Sequence, residues 1–239
     1  MTRVLLVGYD PESGFGLLRT LEPPKIKPLA LGKSADVKEQ DPVLVASAGG
    51  ARMVLPVRVA SLREFAGSWE YLVDKAIFTS PPHPAWSGAA LINREGKLVG
   101  VGSLIVGDAK GESEASPGNM FVPIDLLAPI MAELLANGRT AGPAHPWLGV
   151  NAQAAHGGLM VGRVTPGGPA EKSGLRRGDI IAGVDGERTK SLGDFYRKVW
   201  AKGAAGVTVP LDVVSGGEPR RVEVQSINRL DTLKLKSTF

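Results

Sequence analysis

"GLMVGRVTPGGPAEKSGLRRGDIIAGVDGE", residues 158–187, decides the fold of the second half of the chain. LMVGRV reads as a strand and TPGG as the turn that ends it; PAEKSGL is a short helix; GD then leads into the apolar strand DIIAGV and a tight VDG turn. Downstream, VTVPLDVV and RRVEVQSI are two more strands. Before them lies a helix that Ser191 caps, with Asp194 three residues on completing a box-like pair and Gly203 available to end it. Leu192, Phe195 and Val199 share one face of that helix.

Upstream, TAGPAHP reads as a linker, because Pro143 and Pro146 restrict the backbone and no apolar period crosses it. The first part of the chain is a series of short β-like runs: TRVLLVG, FGLLRT, PVLVASA, MVLPVRVAS, KAIFTS, AALIN and KLVGVGSLIV, separated by turn clusters such as DPESG and AGGAR. This is the rhythm of a β-barrel or sandwich. A polar loop, GDAKGESEASPGN, precedes VPIDLLAPIMAELLANGR. Its Leu127, Ile130, Met131, Leu134 and Leu135 predict a helix, with Asp125 as N-cap, Pro129 in the first turn and Asn137-Gly138 as the stop.

The 239 residues fit two unequal domains, and 43% hydrophobic with 22% charged residues is an ordinary globular balance. The net charge of +4 is scattered, and its densest groups, SGLRRGD and EPRRVEV, are two arginines long, so no stripe for nucleic acid is present. The absence of cysteine excludes disulfides, thiolate metal sites and cysteine nucleophiles, and no motif calls for a metal or cofactor. The apolar core of MTRVLLVGYD, VLLVG, is shorter than a secretory segment, and no stretch reaches the length of a membrane span; with Met1 as the true start, no export signal is expected.

The pattern over residues 147–230 resembles a bacterial PDZ domain, an α+β unit. PWLGV occupies the place of that family's carboxylate-binding loop. Successive backbone N–H groups in a glycine-containing loop form a concave anion site, and an adjoining strand edge accepts an extended peptide. The resemblance therefore implies peptide binding at Trp147, Leu148, Gly149 and Val150, with Leu192, Phe195 and Val199 lining the side-chain pocket. The same apolar residues also suit a plain core.

Residues 1–140 resemble the later half of the trypsin-like protease domain of the HtrA family. VGYDPESGFGLLRT resembles the segment that carries the family's catalytic Asp, PAWSGAALINREGKLVGVGSLIV its nucleophile turn and hairpin, and NMFVPIDLLAPIMAELLANGR its closing helix. The expected architecture is thus mainly β: an incomplete trypsin-like barrel domain over 1–140, a linker over 141–146, a PDZ domain over 147–230 and a tail over 231–239. The resemblance makes Ser87 the nucleophile position, with Ala85 and Gly88 in the oxyanion turn. Gly14 stands where the Asp belongs, and Ala85 replaces a glycine.

A serine attacks a peptide carbonyl only when a base takes its proton and donors await the oxyanion. Of the three histidines, His145 is in the linker and His156 in the PDZ-like unit, which leaves His83 as the candidate base or a solvated loop residue. Asp10 reads as a turn residue. In model serine proteases the loss of serine or histidine costs about 10⁶ in turnover. The expectation is a pseudoprotease with a vestigial Ser87 that binds peptides or the C-termini of unfolded proteins in protein quality control.

Two alternatives stand beside it. One is the C-terminal portion of an active endoprotease, with Met1 an internal start and Ser87 attacking. The other is a chaperone-like scaffold whose partly open barrel exposes apolar surface. The resemblance further implies a bacterial periplasmic setting and a possible homo-oligomer. Ser237-Thr238-Phe239 resembles the termini that PDZ grooves accept, which suggests that the tail can occupy the groove.

Overall fold

In the computed structural model, residues 3–111 and 115–233 are described. The chain divides into two compact units, one of residues 3–65 and 73–140, the other of residues 66–72 and 141–233. Both are mainly β, built from short Val-rich runs between turns.

The first unit opens with β1 (Val4–Tyr9) and β2 (Gly16–Thr20), which pair only with each other in an antiparallel two-stranded sheet. Then come β3 (Pro42–Ala46), β4 (Val54–Gly67), β5 (Tyr71–Ser80), β6 (Ala90–Ile92), β7 (Leu98–Val106) and β8 (Gly118–Pro123). These six close into a barrel in the order β3-β4-β5-β8-β7-β6. The alternation is plain on β3, where Val43 and Val45 are buried while Leu44 between them is exposed. They meet Val57, Val59, Ile77, Leu91, Val99 and Phe121 in one apolar cluster.

Closure corrects the premise of the scaffold reading, because a closed ring leaves none of its strands with an open edge. Among the described residues β1 and β2 form a two-stranded sheet of their own and are not part of the ring. A second correction concerns β8, whose Gly118 and Asn119 read as part of a polar loop; the strand pairs with β5 and β7 and completes the ring.

The helix expected from Asp125 onward is also shorter than its apolar spacing suggests. A 3-10 turn covers Ile124–Leu126, and α1 spans only Met131–Asn137, with Ile130 at its N-cap and Pro129 ahead of it. Asp125 is not a cap. Its carboxylate accepts the N–H groups of Ser34 (3.0 Å) and Ala35 (2.8 Å), and those bonds hold it below the usual carboxylate range although burial opposes them. Gly138 ends α1 as expected, with φ 72°.

The second unit contains β9 (Val150–Ala155), β10 (Gly158–Val164), α2 (Pro169–Lys172), β11 (Ile180–Val184), β12 (Glu187–Arg188), α3 (Leu192–Trp200), β13 (Thr208–Ser215) and β14 (Glu218–Gln225). The sheet runs β14-β13-β11-β10-β9, with β12 on β11, so β9 is an edge strand. Ser191 Oγ accepts the Asp194 N–H (3.1 Å) and Asp194 Oδ2 accepts the Lys190 N–H (2.8 Å), which fixes the start of α3. Leu148, Val150, Leu159, Ile181, Phe195, Val199 and Leu211 belong to its core.

One close approach positions the serine turn. Gly102 on β7 donates to the Ala89 carbonyl (2.8 Å) and accepts from the Gly88 N–H (2.9 Å), and a Cβ on it would collide with the Trp86 carbonyl oxygen. Gly102→Ala is therefore expected to destabilise the chain by about 2 kcal/mol, the range for overpacking. Urea unfolding checks this, and an unchanged midpoint would show that the turn is not pressed onto β7.

Candidate functional sites

Ser87 and Gly88 form an exposed turn between β5 and β6, closed by the Ala89 N–H bonding to the Trp86 carbonyl (3.0 Å). Gly88 takes φ 71°. Four residues before Ser87 in sequence stands His83. His83 is only 2% exposed, which corrects its reading as a solvated loop residue. Its Nδ1 accepts the Ala85 N–H (3.0 Å), so the proton sits on Nε2, which faces the Met53 carbonyl at 2.9 Å. Its own N–H donates to Asn119 Oδ1 (2.6 Å) on β8.

The same bond engages the Ala85 N–H. Ala85 does not take the left-handed backbone conformation, and its N–H is directed at the His83 ring. The position that the resemblance gives to the acid is Gly14. Gly14, with φ 79°, donates to the Asp10 carbonyl (2.9 Å), and the buried Asp10 carboxylate accepts the Ser13 N–H (2.8 Å). Asp10 is thus a turn residue, and its carboxylate serves its own loop.

The second unit holds a different kind of site. Gly149, at φ 79°, bends the segment after Trp147 so that three consecutive N–H groups converge. Leu148 donates at 2.8 Å to one carboxylate oxygen of Glu70, and Gly149 (2.6 Å) and Val150 (2.8 Å) donate to the other. Trp147 instead pairs its backbone with Ile227, and its side chain is buried. Phe195 and Val199 are buried in the core of the unit, and Leu192 is half-buried against it.

Glu70 lies in the turn 68–70 between β4 and β5, within residues 66–72, which span the end of β4 and the start of β5 and belong to the second unit. The Ser68 carbonyl accepts the N–H of Ala152 (3.1 Å), two residues beyond Val150, and Ser68 Oγ bonds Asn151 Oδ1 (2.7 Å). The Tyr196 hydroxyl, from α3, donates to the Gly67 carbonyl (2.6 Å) and accepts the Glu70 N–H (3.1 Å). Ala66 and Leu72 pack on the core of the unit.

Burial pushes the Glu70 carboxyl up to about 7, against the three N–H donors and Arg229, all of which favour its charge. Burial also holds the Tyr196 phenol well above its ordinary range. No motif in the sequence singles out Glu70, Ser68 or Tyr196; the one signal is a charged residue between Trp69 and Tyr71 at a strand-to-strand turn. Ser237, Thr238 and Phe239 lie outside the described residues.

Comparison with known proteins gives two domain matches: the PDZ domain over residues 146–225 and the trypsin-like peptidase domain over residues 2–101. The serine protease PepD of Mycobacterium tuberculosis is 30% identical over 236 residues, which cover 92% of this chain and 50% of the relative. A probable periplasmic serine endoprotease, DegP-like, of Pseudomonas fluorescens is 28% identical over 232 residues, covering 92% of this chain and 47% of the relative. The chain thus spans about half the length of these relatives. Among solved structures, "HtrA-type protease AlgW with decapeptide" aligns with a TM-score of 0.58 and 20% identity over 95% of this chain and 72% of that one, a likeness of fold.

If His83 is the strut that its two ring bonds describe, His83→Ala leaves the Met53 carbonyl and the Ala85 N–H without partners. The expected loss is about 2 kcal/mol in urea unfolding. A loss below about 0.5 kcal/mol would mean that water replaces the ring freely.

Proposed function

The chain is an HtrA-like protein, a trypsin-like peptidase domain followed by a PDZ domain, and from that premise we propose that it binds the C-terminal ends of peptides and unfolded proteins without cutting them. The observation that carries the binding half is the convergence of the Leu148, Gly149 and Val150 N–H groups on one carboxylate. Such a seat suits the α-carboxylate of a peptide, and β9, whose Ala152 N–H is taken by the Ser68 carbonyl, is the edge on which the residues before that carboxylate would add as a strand. The decapeptide held by AlgW, a protein of the same fold, supports the same class of ligand here.

The non-cutting half rests on the serine turn. Ser87 is exposed and in place, but the one nearby histidine is bonded at both ring nitrogens, the Ala85 N–H is turned onto that histidine, and Gly14 supplies no carboxylate. A nucleophile without a base or a free oxyanion donor keeps little of the rate of a serine protease. In this reading Ser87 is a relic, the barrel is a support, and the role is client recognition in protein quality control.

A second reading, hydrolysis with Ser87 as nucleophile, is favoured by the exposure of Ser87 on a glycine-ended turn and by the serine protease names of the relatives. Casein hydrolysis by the purified chain and by its Ser87→Ala variant separates the two. The expected result is no cleavage by either, together with binding of decapeptides that carry a free C-terminal carboxylate and none of their C-terminal amides. Cleavage by the parent that the variant lacks would establish the protease reading and overturn this one.

A further inference from the structure

Glu70 comes from the same chain, yet it makes the contacts that the peptide-binding reading assigns to a ligand. Its carboxylate is met by three N–H groups, the Ser68 carbonyl takes the next available N–H of the edge strand, and the Tyr196 hydroxyl of α3 clasps the backbone of both Gly67 and Glu70. An added strand that ends in a carboxylate is the chemistry of a PDZ ligand. Here a turn supplies it, with the side-chain carboxylate of Glu70 in the part of the terminal one.

We propose that residues 66–72 are a built-in pseudo-ligand, and that a peptide terminus enters the groove of the second unit only when Glu70 leaves the carboxylate seat. The proposal rests on the peptide-binding reading and adds its regulation. Two carboxylates cannot share three N–H donors, so seating of Glu70 and of a peptide are mutually exclusive. The observed affinity of any peptide is its affinity for the open groove reduced by the fraction of molecules in which Glu70 is out.

The backbone gives the segment a reason to move. Glu70 itself is at φ 59°, a left-handed conformation that a residue with a side chain adopts at a cost, and the bonds at the seat hold it there. The charged and titratable groups around the carboxyl are the Tyr196 phenol from α3 and the Arg229 guanidinium beyond β14, whose Nη1 reaches the Glu70 carbonyl at 3.4 Å; the loop 148–150 contributes only backbone donors. Burial raises the seated carboxyl to about 7, whereas a withdrawn one titrates near the ordinary value of 4.5.

Between those values the seated form holds a proton that the withdrawn form has lost, so raising the pH through that window favours withdrawal. Below about 4.5 both are protonated and above about 7 both are charged, which leaves the ratio constant outside the window. The change across it is roughly 300-fold in the ratio of seated to withdrawn.

Two measurements on the full chain test this. In the peptide-free protein, the amide resonances of Leu148, Gly149 and Val150 are expected to titrate between about pH 4.5 and 7 and to stop doing so in Glu70→Gln; amides that do not respond in the parent would overturn the proposal. Decapeptides with free C-terminal carboxylates are then bound by the parent and by Glu70→Gly, which removes the carboxylate and suits the left-handed backbone. At least about tenfold tighter binding by the variant is expected, with Glu70→Gln intermediate, and equal affinity in parent and variants would overturn the gate. If neither parent nor variants bind any peptide while the parent's amides titrate, the peptide-binding reading fails and takes the gate with it, leaving Glu70 as a structural tie.

Discussion

A carboxylate removed from water must be met by donors, and the placing of Glu70 is that requirement worked out in backbone. Three consecutive N–H groups can face one point only if the chain turns sharply, which Gly149 permits, and only if β9 continues from the turn as an edge strand. The donors in turn need an acceptor, since N–H groups buried without one cost about 1–3 kcal/mol each. Seat and occupant therefore stabilise each other, and the packing of Ala66 and Leu72 and the Tyr196 hydroxyl bonds follow from where Glu70 has to be.

The serine turn shows the opposite use of the same groups. In a working serine protease the oxyanion donors stay free for the transition state, while the histidine, held by its acid at one ring nitrogen, keeps the other for the serine. Here the local groups satisfy one another: His83 with Ala85 and Met53, Gly14 with Asp10, Gly88 with Gly102. Each bond ties the turn, or the loop in which it falls, to groups of the protein itself.

What is legible in the sequence is what local pattern determines. The Ser191 cap, the strands of the second unit and the glycine-ended turn around Ser87 all follow from residues within a few positions of one another. Asp125 looks like a helix cap for the same reason, but its partners, Ser34 and Ala35, lie about ninety residues away in sequence, and no local pattern announces them. His83 is buried by Met53 and by Asn119 of β8, and Glu70 is claimed by a loop nearly eighty residues further on. Polar residues whose partners are distant read as solvated in the sequence, and His83 and Glu70 are the two such residues on which the candidate sites turn.

The course of the chain has a consequence for dissecting it. The second unit is discontinuous: residues 66–72 leave with β4, complete the unit and return with β5 before the continuous stretch from residue 141 begins. A fragment cut at the linker, the usual way of isolating such a module, would carry the three N–H donors without Glu70. Its loop would be bare, and any binding constant measured on it would describe an orphaned half of the site, with the competitor left behind in the discarded piece.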